Sequence, residues 1–187
     1  IHTEIRRLIK LSTLTALGRA VQHRRLLLGV KLLVWRLAAV VWEREAETGI
    51  ELAVHNHGPG DLLYPTPASI LDRVKNLDPR IGVCLDIGHC QRSGIDPSEA
   101  AVAGGARLLD VHLKDVTAPT KDGGPVEAGR GVIDLPRFLR TLAAMDYRGT
   151  AAFEYEKDGR DPLPGLAESV GYVRGVLAAQ EKQGEKS

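Results

Sequence analysis

The sequence has few of the features that mark a secreted, fibrous or membrane protein. Two cysteines in 187 residues are too few for the disulfide framework of a small secreted domain. The longest apolar stretch, residues 26–42, contains Lys31 and Arg36, so we expect no membrane span. The first residues also lack the basic-then-apolar order of a secretory signal. These absences favour a globular protein with reduced thiols, and we expect it in the cytoplasm.

The chain also lacks an excess of one charge sign. Its 25 basic and 24 acidic residues leave a formal net charge of +1. Two Trp, two Phe and four Tyr provide few platforms for stacking on bases. We therefore expect no nucleic-acid partner. A hydrophobic fraction of 43% and a charged fraction of 26% are typical of a globular protein with one sizeable core.

Proline and glycine change in frequency at about residue 50. All ten prolines lie after that point, whereas both tryptophans lie before it. The helical spacing of apolar residues between 30 and 41 predicts a helical N-terminal segment over residues 1–49. Residues 50–180 form the predicted β/α unit, and residues 181–187 form a polar tail that we expect to be frayed.

From residue 50 onward, short apolar segments alternate with amphipathic ones. Helix starts are indicated by pairs such as Asp96-Pro97, because Asp is a good N-cap and Pro suits the first helical position. The alternation predicts a parallel β/α architecture with a long loop at 117–131. The predicted strands are 50–54, 81–85, 107–111 and 150–153, and the predicted helices are 67–76, 96–103, 134–145 and 164–180.

Side chains that can bind a metal follow each predicted strand. In parallel β/α proteins, function is built at the carboxyl ends of the strands. Imidazoles and carboxylates together form a mixed nitrogen and oxygen ligand set suited to Mn²⁺, Mg²⁺, Co²⁺ or Zn²⁺. The four stretches are His55-Asn56-His57, Asp86-Ile87-Gly88-His89, His112-Leu113-Lys114-Asp115 and Glu154-Tyr155-Glu156.

The spacing of these stretches favours a barrel over a flat sheet. In a flat sheet, the outer two of four neighbouring strands lie about 14 Å apart. Ligand atoms must lie about 2.0–2.3 Å from a shared ion. A barrel curves consecutive strands around one mouth, so that ligands from several strands can converge.

These motifs resemble the C-terminal half of xylose-isomerase-like TIM barrels. That superfamily contains sugar isomerases and epimerases, inosose dehydratase and endonuclease IV. The resemblance covers residues 50–178 and includes the loop Gly129-Arg130-Gly131-Val132. It implies an α/β fold of the (β/α)8 TIM-barrel type, with only the C-terminal four to five β/α units present. Because the chain also begins with Ile rather than Met, we expect a fragment or a truncated product.

The resemblance also implies a divalent metal bound by Asp86, His112 and Glu154. The family usually has Glu at the position of His55, so this chain lacks the symmetric pair of carboxylates that moves protons in the two-Glu epimerases. The His55 imidazole can still bind the metal or accept a proton. We therefore predict His55, Asp86, His112 and Glu154 as the metal ligands.

Further candidates lie in the same stretches. Lys114 is a candidate proton donor or an anchor for a substrate oxygen, and His57, His89 and Arg130 are candidate substrate contacts. Each also has a plainer interpretation, as a packed or hydrogen-bonded histidine or as a solvated cation. Cys84 is interpreted as core packing.

We predict a metal-dependent isomerase or epimerase of a sugar or sugar phosphate that acts through an enediolate. Glu154 or His55 would remove the proton next to the carbonyl, and Lys114 would assist. The alternatives are an inosose-type dehydratase, an endonuclease IV-like hydrolase and a truncated, non-catalytic sugar-binding remnant. A small sugar is the expected partner, and a homo-oligomer is compatible with the sequence.

Overall fold

A parallel four-stranded sheet forms the centre of the computed structural model, which describes residues 49–184. The strands are β1 (Leu52–His55), β2 (Ile81–Asp86), β3 (Leu108–Leu113), β4 (Asp115–Val116), β5 (Pro125–Val126) and β6 (Thr150–Phe153). Strands β1, β2, β3 and β6 lie side by side in that order, and β4 and β5 pair antiparallel with each other.

Helices connect the strands and begin at residues with clear capping chemistry. The Thr66, Asp96 and Asp134 side chains each accept a hydrogen bond from the backbone N–H three residues later. These bonds satisfy amide groups that have no acceptor inside the helix. The helices are α1 (Pro67–Val74), α2 (Ile87–Arg92), α3 (Pro97–Gly104), α4 (Leu135–Ala144) and α5 (Leu163–Gly184).

The core lies between this sheet and the helices that cover it. All six residues of β2 are buried, because β2 has a neighbouring strand on each side and packed side chains on both faces. Among the largest fully buried side chains are Phe138 of α4, Ile70 of α1 and Leu85 of β2. Burial of a side chain of this size stabilises the fold by about 1.5–3 kcal/mol.

Strand register brings the carboxyl ends of the sheet level with one another. His55 pairs with Cys84, and Asp86 pairs with His112. Leu113 pairs with Phe153, so the residue after β6 lies beside the end of β3. The polar stretches that follow the strands are therefore gathered at one edge of the sheet.

The four parallel strands occur where the sequence predicts them, to within two residues at each end. Helix α2 lies in a segment that was not predicted as helical. It is only six residues long, too short to show a helical period, and it begins directly after β2 because the Asp86 side chain accepts a hydrogen bond from the His89 N–H at 2.7 Å.

Three other differences concern the predicted loop, the C-terminal tail and the N-terminus. The predicted loop at 117–131 includes β5, which pairs with β4. Helix α5 continues to Gly184, four residues past its predicted end and into the predicted polar tail. The helical segment predicted for residues 1–49 falls outside the described residues except for Gly49, so it stays a prediction. Within residues 49–184, no helix has both the length and the apolarity to cross a membrane.

Candidate metal centre

Four side chains from four neighbouring strands converge on one point. His55, Asp86, His112 and Glu154 each offer one ligand atom, and these atoms all lie within 4.8 Å of one another. His55 belongs to β1 and Glu154 follows β6, the two outer strands, yet Nε2 of His55 lies 3.5 Å from Oε2 of Glu154. In a flat sheet these strands would be about 14 Å apart. The predicted ligand set is therefore brought together, and the sheet is curved as in a barrel.

Asp86 is held rigidly at the end of β2. It is fully buried, and its Oδ1 accepts the hydrogen bond that starts α2. Its Oδ2 lies 3.5 Å from Nε2 of His55 and 3.4 Å from Nζ of Lys114. One carboxylate oxygen thus fixes the local backbone, and the other faces the cluster.

His112 is oriented by a carboxylate on each side. Its Nδ1 contacts Oε2 of Glu154, and its Nε2 lies 3.7 Å from Oδ2 of Asp110. Metal-binding histidines usually have their second ring nitrogen held by a carboxylate or a carbonyl. Asp110 is the candidate for that role, and it is not among the residues predicted from the sequence. The available signal was its position two residues before His112, on the same face of the strand.

His55 has the polar environment of a ligand. In the described part of the chain, neither of its buried ring nitrogens makes a hydrogen bond. Burial alone would lower the pKa of His55, but the carboxylates of Asp86 and Glu154 outweigh it and raise the pKa to about 9. The imidazole is therefore protonated at neutral pH in the metal-free protein. A bound cation would replace that proton and give the ring nitrogen a partner.

Both carboxyl groups of the cluster are ionised at neutral pH. Burial alone would raise the pKa of Asp86 and of Glu154. Hydrogen bonds and charges from His55 and Lys114, together with His112 beside Glu154, reverse that effect and lower both pKa values. The Glu154 side chain remains 22% exposed, so a small molecule can reach it from the carboxyl edge of the sheet.

Lys114 is a buried ammonium surrounded by carboxylates. Its Nζ lies 3.3 Å from Oε1 of Glu154 and 2.6 Å from Oε2 of Glu156, in addition to its contact with Asp86. Burial lowers the pKa of Lys114, but these carboxylates raise it above its usual value. The Glu156 side chain is half-exposed, and its pairing with Lys114 extends the charged network to the surface.

A glycine on α2 leaves room for the Lys114 side chain. A Cβ atom on Gly88 would lie 2.7 Å from Cγ of Lys114, closer than two carbon atoms can approach without displacement. The glycine between Asp86 and His89 is therefore required by the packing of Lys114.

The two further histidines predicted as substrate contacts lie beside the cluster. Nε2 of His89 is 3.4 Å from Nζ of Lys114, and the ring centroid of His57 is 4.7 Å from that of His55. Burial and neighbouring cations lower the pKa of His89 to about 4, and burial together with His55 lowers the pKa of His57. Both rings are therefore neutral near pH 7 and can donate or accept a hydrogen bond.

Arg130 is placed differently from the other candidates. In the described residues its guanidinium pairs with Glu168 of α5, and its side chain is 60% exposed. The structure does not bring it to the cluster, so its role as a substrate contact stays a prediction.

The glycines on either side of Arg130 have a structural role. The backbone N–H groups of Gly129 and Gly131 donate to Oδ2 of buried Asp115, at 2.9 and 3.0 Å. A Cβ on Gly131 would lie only 2.1 Å from Oδ1 of Asp115. The Gly-x-Gly loop is thus fastened to the chain just after β3.

The two cysteines have different surroundings. Cys84 can offer its sulfur together with ring nitrogens of His55 and His112, all within 4.8 Å, although its sequence context suggested only core packing. The Cys90 Sγ donates to the Ile95 carbonyl at 3.6 Å, and burial raises its pKa to about 12. Among residues 49–184, Cys90 belongs to neither group of metal-capable side chains.

The curved parallel sheet and its intervening helices define part of a β/α barrel. The histidines and carboxylates at its carboxyl edge form a cluster that could hold a metal ion. Comparison with protein families agrees with this class. The chain belongs to the xylose isomerase-like TIM barrel family, whose model matches residues 31–176. Both the predicted family and the predicted partial-barrel fold are confirmed.

Similar proteins include a catabolic protein and a dehydratase. The chain is 33% identical over 138 residues to the rhizopine catabolism protein MocC of Rhizobium meliloti, covering 65% of this chain and 42% of that protein. It is 29% identical over 156 residues to inosose dehydratase of Bacillus cereus (strain AH820), covering 74% and 50%.

The fold is also similar to that of a solved D-tagatose 3-epimerase-like protein. The TM-score is 0.58 at 25% identity, over 75% of this chain and 54% of that one. The chain thus spans about half the length of the relatives it matches.

Proposed function

We propose that this chain carries the metal centre of an isomerase or epimerase that acts on a sugar or sugar phosphate. The observation that supports the proposal is the convergence of two imidazoles and two carboxylates at the carboxyl edge of a curved sheet. This arrangement suits proton removal next to a carbonyl best. It places an ionised base beside hydrogen-bond donors that can stabilise the negative charge formed on the substrate.

The four predicted ligands suit a divalent cation such as Mn²⁺, Mg²⁺, Co²⁺ or Zn²⁺. The Asp86 carboxylate and the His112 imidazole are buried. Both ring nitrogens of His55 lack hydrogen-bond partners among the described residues. When bound, such a cation supplies Lewis-acid chemistry, which polarises a carbonyl and makes the adjacent C–H more acidic.

Glu154 is the proposed base. It is ionised, partly exposed and fixed at both carboxylate oxygens, by His112 at Oε2 and by Lys114 at Oε1. Lys114 keeps its proton and can donate to a substrate oxygen on which negative charge develops. The neutral rings of His57 and His89 can hold substrate hydroxyl groups.

His55 makes the two sides of the centre unequal. A carboxylate lies on the β6 side and an imidazole on the β1 side, where the resemblance leads us to expect a second carboxylate. His55 can return the proton to the other face of a planar intermediate only when it is not bound to the metal. We therefore assign proton removal to Glu154 and metal binding to His55.

A second candidate is dehydration of an inosose-type polyol ketone. The similarity to inosose dehydratase favours it, and it begins with the same proton removal. The ammonium of Lys114, 3.3 Å from Glu154, would then protonate the departing hydroxide as the C–O bond breaks, so that water is the leaving product.

Solvent exchange separates these candidates. The chain, loaded with Mn²⁺, is incubated in D₂O with a ketose, a ketose phosphate and an inosose, and the products are followed by NMR. An isomerase or epimerase incorporates deuterium next to the carbonyl without loss of water, whereas a dehydratase releases water and forms an enol that tautomerises to a diketone.

The Glu154→Gln variant should abolish either signal, and Glu156→Gln is the matched control. Metal binding with neither exchange nor dehydration would contradict both candidates and favour a non-catalytic sugar-binding remnant. The cytoplasmic location, the small-sugar partner, the lack of a nucleic-acid partner and a homo-oligomeric state remain proposals.

A further inference from the structure

A second group of metal-capable atoms shares two residues with the centre described above. His55, Cys84 and His112 each offer a ligand atom within 4.8 Å of the others. Cys84 is 3% exposed and lies two residues before Asp86 on the same face of β2. It therefore occupies the next layer into the sheet, on the amino-terminal side of the centre.

The orientation of both imidazoles supports a position in that layer. His112 turns Nδ1 towards Glu154 and Nε2 towards Asp110, and Asp110 is the register partner of Cys84. His55 faces the carboxylates with Nε2, and its Nδ1 is also buried without a hydrogen-bond partner among the described residues. Both imidazoles therefore lie between the four-residue centre and Cys84, and the same two rings are within reach of either position.

We propose that His55, Cys84 and His112 form a second metal position, specific for thiophilic divalent ions such as Cd²⁺ and Zn²⁺. A soft thiolate ligand favours such ions, whereas Mn²⁺ and Mg²⁺ prefer carboxylate oxygens. On binding, the Cys84 thiol releases its proton to solvent and the resulting thiolate binds the ion. Because His55 and His112 belong to both groups, occupation of one position withdraws two ligands from the other. A thiophilic ion would therefore displace the cation of the centre.

Cadmium is a direct probe, since a Cd²⁺–thiolate bond has a ligand-to-metal charge-transfer band in the ultraviolet. Titration of the whole chain with Cd²⁺ should produce a saturable band. Cys84→Ser should abolish it, and Cys90→Ser, which changes the other buried cysteine, should leave it intact. Circular dichroism verifies that each variant is folded, and Cys84→Ala serves if the serine variant is not. The absence of a band in the unmodified chain, or its loss only in Cys90→Ser, would overturn the proposal.

Competition between Mn²⁺ and Cd²⁺ tests whether the two positions share ligands, and it needs no cysteine variant. Mn²⁺ at ten times its own dissociation constant should raise the Cd²⁺ concentration at half-saturation about tenfold. An unchanged Cd²⁺ titration would show that the positions are independent and would overturn the mutual exclusion.

The variant Asp86→Asn separates this proposal from the proposed function. It should lose Mn²⁺ binding and keep the cadmium band, because Asp86 belongs only to the four-residue centre. Loss of the band in a folded Asp86→Asn protein would count against a separate position. Failure of catalysis with the band retained would contradict only the proposed function.

Discussion

Asn56 and Asp86 join the ends of β1 and β2 through two reciprocal hydrogen bonds. Nδ2 of Asn56 donates to the carbonyl oxygen of Asp86 at 3.1 Å, and the backbone N–H of Asp86 donates to Oδ1 of Asn56 at 2.9 Å. Both residues are fully buried. With its backbone held in this way, Asp86 can direct its carboxylate at His55 and Lys114.

Asn56→Ala should destabilise the protein substantially. The substitution leaves the buried N–H of Asp86 without its acceptor, which costs about 1–3 kcal/mol, and removes one hydrogen bond to the Asp86 carbonyl, which contributes about 0.5–1.5 kcal/mol. We expect the free energy of unfolding, measured by urea denaturation, to fall by about 2–4 kcal/mol. Asn76→Ala, at an exposed position, is the control and should change it by less than about 0.5 kcal/mol. Equal effects of the two substitutions would contradict the role assigned to Asn56.

Glu154→Gln should remove most of the stabilisation that Mn²⁺ provides. A ligand at about 100 times its dissociation constant stabilises the folded state by about 2.7 kcal/mol, which thermal denaturation detects as a rise in Tm. Glu156→Gln is a close control, because Glu156 also contacts Lys114 but is not a member of the four-residue group. A rise in Tm that survives in Glu154→Gln, or that is lost equally in both variants, would contradict the ligand assignment.

Metal binding should release a proton from His55. With a pKa of about 9 in the metal-free protein, His55 is protonated at neutral pH, whereas a metal ligand must be neutral. Affinity should therefore rise with pH up to about 9 and level off above it. Calorimetry at neutral pH in two buffers of different ionisation enthalpy measures the protons released.

Two histidine variants test the source of that proton. His55→Gln should reduce the release by about one proton. His57→Gln should not change it, because the pKa of His57 is lowered and its ring is already neutral. The same release from the unmodified protein and from His55→Gln would show that the proton comes from another group.

Gly88→Ala should be destabilising. The added methyl group would overlap the Lys114 side chain, and overpacking of a buried site typically costs about 1–3 kcal/mol. Gly175→Ala makes the same change within α5, where nothing lies within 4 Å of the new Cβ. It should raise the free energy of unfolding by up to about 1 kcal/mol, through helix propensity. If Gly88→Ala were as stable as Gly175→Ala, the close packing of Lys114 would be refuted.

Local patterns were sufficient to locate most elements and to single out the four side chains that converge at the carboxyl edge of the sheet. Short apolar strands and capping pairs such as Asp96-Pro97 depend on neighbours in sequence, so they are visible without a fold. The same is true of the polar residues after each strand, because a strand end is a local feature. Helix α2 and the β4–β5 pair were missed because each is too short to show a period or an alternation.

The three-dimensional fold decided which of the candidate side chains meet. His55 and Glu154 are 99 positions apart in sequence, and only the curvature of the sheet places them 3.5 Å from each other. Register between neighbouring strands likewise placed Asp110 behind His112 and brought Cys84 close to His55 and His112. It was packing that paired Arg130 with Glu168. Residue type and strand position establish which groups can bind a metal, but distances between strands depend on twist and register, which no local pattern contains.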